Sequence, residues 1–110
     1  MSSISLDQAH DLAEQALLKA GASAAMAAST ARALVLAQAQ GLSSHGLSRV
    51  PQYATHLRNG RANGKAQPEI IQQKNAVLLV DAHQGLAFPA CELAVSQAMV
   101  AAKQIGRAHV

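Results

Sequence analysis

The 110 residues suffice for one small domain, which buries only about 60–65% of its unfolded surface. The net charge of +3 and pI near 9.5 come from nine scattered Lys and Arg residues; they make no basic stripe, and with Tyr53 and Phe88 as the only aromatics there is no stacking platform, so nucleic-acid binding is excluded as the leading reading. The lone Cys91 rules out an intrachain disulfide or a Cys-based zinc site. No basic-then-apolar leader opens the chain, and no apolar run reaches the about 18–20 residues needed to span a bilayer, so the expectation is a soluble cytoplasmic protein without a membrane partner.

About a quarter of the chain is Ala, which favours helix and close backbone packing. Residues 5–20 read as an amphipathic helix. Ser5 and Gln8 have capping-box spacing, and Leu6, Ala9, Ala13, Ala16, Leu17 and Ala20 recur at helical intervals before Gly21. A second helix is expected from Ala24 to Ala39, capped by Ser23 and ended by Gly41, with Met26, Thr30, Ala33, Leu34 and Ala37 as its stripe. The pair is formally helix-turn-helix, but Arg32 is the second helix's only cation. A third helical stretch follows Ser43-Ser44-His45-Gly46 and ends near Asn59-Gly60. It starts at Ser48, with Pro51 in its first turn, or at Ser44, with Pro51 bending it. Leu47, Val50, Ala54 and Leu57 form its apolar face, and Arg58, Arg61 and Lys65 belong to a solvated basic loop.

From Pro68 the periodicity changes. Ile70-Ile71 and Ala76 to Val80 are β-type runs joined around Lys74-Asn75, the pattern of a hairpin. Asp81 to Gly85 is a turn. Pro89 opens a helix to about Gln104, ended by Gly106, and Arg107-Ala108-His109-Val110 reads as the opening of another strand. Cys91, in an Ala-rich segment, is expected to be a small buried hydrophobe. A strand that has just begun needs sheet partners, so the sequence reads as part of a longer chain: a helical segment over 1–66, then the beginning of an α/β domain over 67–110.

Gly41-Leu-Ser-Ser-His-Gly-Leu-Ser-Arg49 is the densest chemical segment. A 2-oxo acid presents a carboxylate beside a carbonyl. An Arg fork matches the carboxylate with two parallel donors, and a His hydrogen-bonds the carbonyl oxygen and exchanges a proton near neutrality. If the segment is helical, His45 and Arg49 share a face, with Ser44 as a further donor. On residue types alone a structural role stands open beside this one, with His45 packed between helices and Arg49 paired to a surface acid. His10, His56, His83 and His109 have no resolvable role. His10 sits beside the apolar stripe and His56 is expected at the surface. No pair has convincing metal-ligand spacing, so no metal is expected.

Ser44-His45-Gly46, Arg49, Pro51 and Tyr53, followed by Leu57-Arg58-Asn59-Gly60, Val80-Asp81, Gly85, Ala98-Met99, Ala102-Lys103 and Gly106, resemble the malate/L-lactate dehydrogenase family in order along nearly the whole chain. The resemblance implies a mixed α/β, non-Rossmann architecture assembled as a homodimer. It implies an oxidoreductase passing a hydride between NAD or NADP and a small 2-hydroxy, 2-oxo or cyclic imino acid, of which this chain is the N-terminal part. It also implies His45 as catalytic and Ser44 and Arg49 as substrate-binding. Family members often carry an acid shortly before the glycine that precedes Ser-His-Gly and another directly before the Ser. Here Gln40 or Ala39, and Ser43, stand there, so no carboxylate orienting His45 is expected. The family's second histidine motif and most cofactor-binding residues lie beyond Val110, which leaves the cofactor-binding residues of this chain unknown. The alternative is a helical interaction fragment that contributes a subunit interface and no turnover.

Overall fold

Ser5 opens the first helix as its spacing predicts: its hydroxyl accepts the Gln8 N–H at 3.1 Å, and the Gln8 side chain accepts the Ser5 N–H at 2.9 Å. The computed structural model describes residues 4–74 and 77–108. They form α1 (Leu6–Ala20), α2 (Ala24–Ala39), two 3-10 turns (Ser43–His45 and Leu47–Arg49), α3 (Val50–Arg58), β1 (Glu69–Lys74), β2 (Val77–Asp81) and α4 (Ala87–Ala108), a mixed helix-and-sheet architecture. Gly21 ends α1 at φ +114°, and Ser23 caps α2 by accepting the Met26 N–H at 3.2 Å. Each such cap contributes about 1 kcal/mol.

Ala9, Ala13, Leu17 and Ala20 carry the buried stripe of α1, whereas Leu6, expected in that stripe, stays 54% exposed in the first turn, beside a groove between α1 and α2. On α2 the expected Met26, Thr30 and Leu34 are buried, and so are Ala27, Ser29 and Ala31. The burial is this wide because α1 and α4 both pack on α2, and small side chains let both approach. Leu17, Met26, Ala27, Ala54, Leu57, Ala62, Ala66 and Leu86 make one core, which joins the helices to the chain after the hairpin.

The loop between α3 and β1 fastens this core by main-chain bonds. Gly64 C=O accepts the Ser23 N–H at 2.7 Å, and the Asn63 N–H donates to Gln84 C=O at 2.8 Å. A side chain at position 64 would collide with the Gly21 carbonyl oxygen, so only glycine fits there.

β1 and β2 pair antiparallel, with Glu69 opposite Asp81, Lys74 opposite Val77 and a bulge between Ile70 and Gln72. This is the expected hairpin, with Lys74, expected in the connection, ending β1; Asn75 of that connection and Ala76 of the second expected run lie outside the described residues. His83 and Gln84 turn the chain at φ +52° and +65°. Asp81 Oδ1 supports that turn by accepting the His83 N–H at 2.7 Å.

The last helix starts at Ala87, which puts Pro89 in its first turn as expected, and departs from expectation at its other end. It runs through Gly106 to Ala108, so Arg107-Ala108 continue the helix and do not open a strand. An interior glycine costs only about 1 kcal/mol, and the preceding Ala101-Ala102-Lys103-Gln104 are strong helix formers that offset it. His109 and Val110 lie outside the described residues. Cys91 is exposed, not buried. It begins an i, i+4 row with Val95 and Met99, both also exposed, on the side of α4 turned away from the core. The Arg32 guanidinium reaches across from α2 to both Glu92 oxygens at 2.9 and 3.0 Å, and Phe88 meets Tyr53 of α3 edge-on, with ring centroids 5.9 Å apart. No helix of the described residues is long and apolar enough to cross a membrane.

Candidate functional site

The Ser-His-Gly segment is a pair of tight turns between α2 and α3. The Leu42 N–H bonds back to Ala37 C=O at 2.9 Å, the His45 N–H to Leu42 C=O at 2.9 Å, and the Arg49 N–H to Gly46 C=O at 3.0 Å. Between the turns Gly46 is extended, at φ −103° and ψ −137°. This break removes the continuous helix on which His45 and Arg49 were expected to share a face. α3 starts late enough for Pro51 to fall in its first turn, one of the two expected arrangements. The residue before the helix is Arg49 rather than Ser48, and no side chain caps it. The Ser48 hydroxyl instead donates to Ser43 C=O at 2.8 Å.

The fold does bring Ser44 and Arg49 together. Arg49 Nε donates to Ser44 C=O at 2.8 Å, and Nη1 donates to Gln52 Oε1 at 2.9 Å. Both acceptors are neutral. Among the described residues no carboxylate pairs with Arg49, so the surface acid required by the structural reading is not seen. Ser44 and His45 are exposed, and neither the hydroxyl nor the imidazole has a hydrogen-bond partner among the described residues. The result is an uncompensated guanidinium with Nη2 uncommitted, next to a turn that presents a hydroxyl and an imidazole to the outside.

Gln38, which sequence reasoning passed over, holds this turn to α2. Its Oε1 accepts the Leu47 N–H at 3.1 Å. Gly46 lies against the same side chain: a Cβ there would fall 2.5 Å from Gln38 Oε1 and 3.1 Å from its Cα. The signal was present in the spacing. Gln38 continues the register of Ala27, Ala31 and Leu34, all buried, so it is a polar residue on an inward row. Gln40 and Ala39, the expected replacements for a family acid, are both exposed.

The remaining histidines stand apart. His10 Nδ1 lies 3.7 Å from Asp11 and 3.8 Å from Glu14. His56 is half-buried where the surface was expected. His83 Nε2 faces Glu69 at 3.1 Å and its Nδ1 faces Asp81 at 3.5 Å. The two carboxylates thus occupy opposite ring nitrogens and do not converge on one point. Among the described residues no set of three His, Cys, Asp or Glu side chains is placed to hold a metal. Among the described residues, shallow grooves lie beside the turn and away from it. One of about 220 Å³ is lined by Ile4, Leu12, Leu47 and Val50, one of about 260 Å³ lies between α1 and α2, and one of about 410 Å³ lies along Cys91, Val95 and Met99.

The family model described as malate/L-lactate dehydrogenase matches residues 4–110. The chain belongs to the malate/L-lactate dehydrogenase family. It is 43% identical over 103 residues to the (2R)-3-sulfolactate dehydrogenase (NADP(+)) of Chromohalobacter salexigens, covering 94% of this chain and 31% of that protein. It is 31% identical over 107 residues to the ureidoglycolate dehydrogenase (NAD(+)) of Escherichia coli, covering 97% and 31%. In structure it resembles the δ1-piperideine-2-carboxylate reductase of Pseudomonas syringae, with a TM-score of 0.88 at 32% identity over 96% of this chain and 32% of that one. The chain therefore spans just under a third of the length of these family members.

Proposed function

We propose that this chain carries the acid-binding part of a nicotinamide-dependent dehydrogenase acting on a small 2-hydroxy or 2-oxo acid. The observation that carries this reading is Arg49, a guanidinium held by two neutral oxygens and left without a carboxylate among the described residues. Such a group takes an anionic ligand readily: Nη2 and the second Nη1 proton form a two-donor edge for a substrate carboxylate. His45 then faces the oxygen on the adjacent carbon, to hydrogen-bond it or exchange its proton, and Ser44 adds a hydroxyl donor. NAD or NADP, both of which occur in the relatives' names, supplies or receives the hydride when bound. The three grooves described above do not fit a dinucleotide. One has no polar lining residue, the other two each carry a carboxylate, Asp7 or Glu92, and none includes Ser44, His45 or Arg49. Ser44, His45 and Arg49 are assigned to the acid, and no residue of this chain is assigned to the cofactor.

A homodimer in the cytoplasm, where the nicotinamide pool is, completes the proposal. Support for a covered face comes from Ile4, Leu6, Leu12, Val95 and Met99, large apolar side chains that are more than half exposed in this chain. No nucleic acid or membrane partner is included.

The test is a screen of 2-oxo acids with NADH and NADPH on the complete polypeptide, followed by Arg49→Lys. A point charge cannot reproduce the planar fork and also loses the tether to Ser44 C=O, so kcat/KM for the preferred acid should fall by about 1.5–3 kcal/mol in transition-state stabilisation, roughly ten- to 150-fold. Kinetics within twofold of the parent protein would remove Arg49 from the site.

A further inference from the structure

We infer that Gln38 is a positioning residue: from α2 it sets the Ser44–Arg49 turn through its bond to the Leu47 N–H and its contact with Gly46. This rests on the reading of His45 and Arg49 as the acid-binding pair. Three observations carry it. Gln38 Oε1 is the acceptor, at 3.1 Å, for a backbone N–H inside the second 3-10 turn, between His45 and Arg49 in sequence. Gly46 is buried and packed so closely on Gln38 that a methyl group would overlap its amide oxygen and press tightly on its Cα. Gln38 itself is anchored by α2, whose Leu34 one turn earlier is buried.

The second half of the turn has little else to fix it. The Leu42 N–H to Ala37 C=O bond ties the start of the turn to α2, and the other main-chain bonds run within it, between Leu42 and His45, Ser43 and Gly46, and Gly46 and Arg49. Those internal bonds shape the turn without placing Leu47 and Arg49 against α2. Gln38 bonds across from a separate element to the peptide that follows the extended glycine. Losing that acceptor leaves a part-buried N–H without its partner and frees the turn to shift. A displacement of about 1 Å in a positioned site can cost up to 10²-fold in rate.

The test compares Gln38→Met, which keeps an unbranched helix-forming side chain of similar length but has no oxygen acceptor, with Gln38→Glu, which keeps the oxygen. Two readouts are taken on the complete polypeptide: backbone amide exchange at Leu47, and steady-state kinetics with the acid and the cofactor varied separately. For Gln38→Met, Leu47 exchange should speed up about tenfold or more and kcat/KM for the acid should fall by about tenfold, while KM for the cofactor and the melting temperature stay near the parent's. Gln38→Glu should restore Leu47 protection and most of the acid kinetics. Unchanged Leu47 exchange in Gln38→Met would overturn the inference. Equal damage in both variants, or a loss matched by a fall in melting temperature, would also overturn it, because Gln38 would then be only a packing residue. If the parent protein turns over no 2-oxo or 2-hydroxy acid, the acid-binding reading fails and takes the positioning role with it. The exchange arm would still report whether Gln38 holds the turn.

Discussion

His45→Asn in the complete polypeptide is expected to lower kcat/KM for the preferred acid by about 10²-fold, the usual scale for a positioned acid/base or carbonyl-polarising group. The fold should be indifferent to the change. The imidazole is exposed and has no partner among the described residues, and exposed substitutions of this kind stay within about 0.5 kcal/mol. Melting temperature and kinetics on one preparation separate the two roles. A lowered melting temperature with unchanged kcat/KM would make His45 an ordinary structural histidine. A smaller kinetic loss, with the main ionisation of the pH–rate profile retained, would make it an orienting donor and place the proton transfer on another residue.

Leu17→Ala acts at the opposite end of the chain of causes. Leu17 is fully buried, 0% exposed, at the meeting of α1, α2 and α3. Its neighbours are mostly alanines, whose short side chains cannot swing in to fill the space. The loss should therefore reach about 3–5 kcal/mol, the upper part of the usual range for a large-to-small core change, read as a shift in the midpoint of urea unfolding. Gln15→Ala on the same helix is the control: Gln15 is exposed and outside the apolar face offered for the dimer, and its replacement should cost under about 0.5 kcal/mol. If Gln15→Ala proves as damaging as Leu17→Ala, burial at position 17 is not what the loss reports.

Much of this was legible in the sequence because its signals are local. Ser5 with Gln8, Ser23, Gly21 and Gly41 bound the first two helices through caps whose chemistry depends on a few adjacent residues, and Ile70–Val80 shows its hairpin in β-type residues. The misplaced features depend on what lies across from them. Gly106 carries a stop signal that a helix of good formers overrides. Cys91 has the composition of a buried residue but falls on the row of α4 turned from α2. At the site, residue types and order identified Ser44, His45 and Arg49 as candidates, while their geometry was hidden. The i, i+4 spacing of His45 and Arg49 suggested a helical face, and only the extended backbone at Gly46 shows that the pair is set by two turns. Gln38 was missed because the bond that matters runs to a backbone N–H, which leaves no mark in residue identity.

The loop after α3 has the same character on a larger scale. Its two ties, Gly64 to Ser23 and Asn63 to Gln84, run between main-chain atoms, so apart from the glycine they do not depend on which side chains the loop carries. They do depend on how many residues it has. One inserted residue adds up to about 3.8 Å of chain, more than a hydrogen bond tolerates, and would put one tie or the other out of reach. In protein engineering, the exposed positions of this stretch can be rewritten at little cost, whereas Ala62, Gly64 and Ala66 are held by the core and the Gly21 carbonyl, and its length is fixed by the two segments it spans.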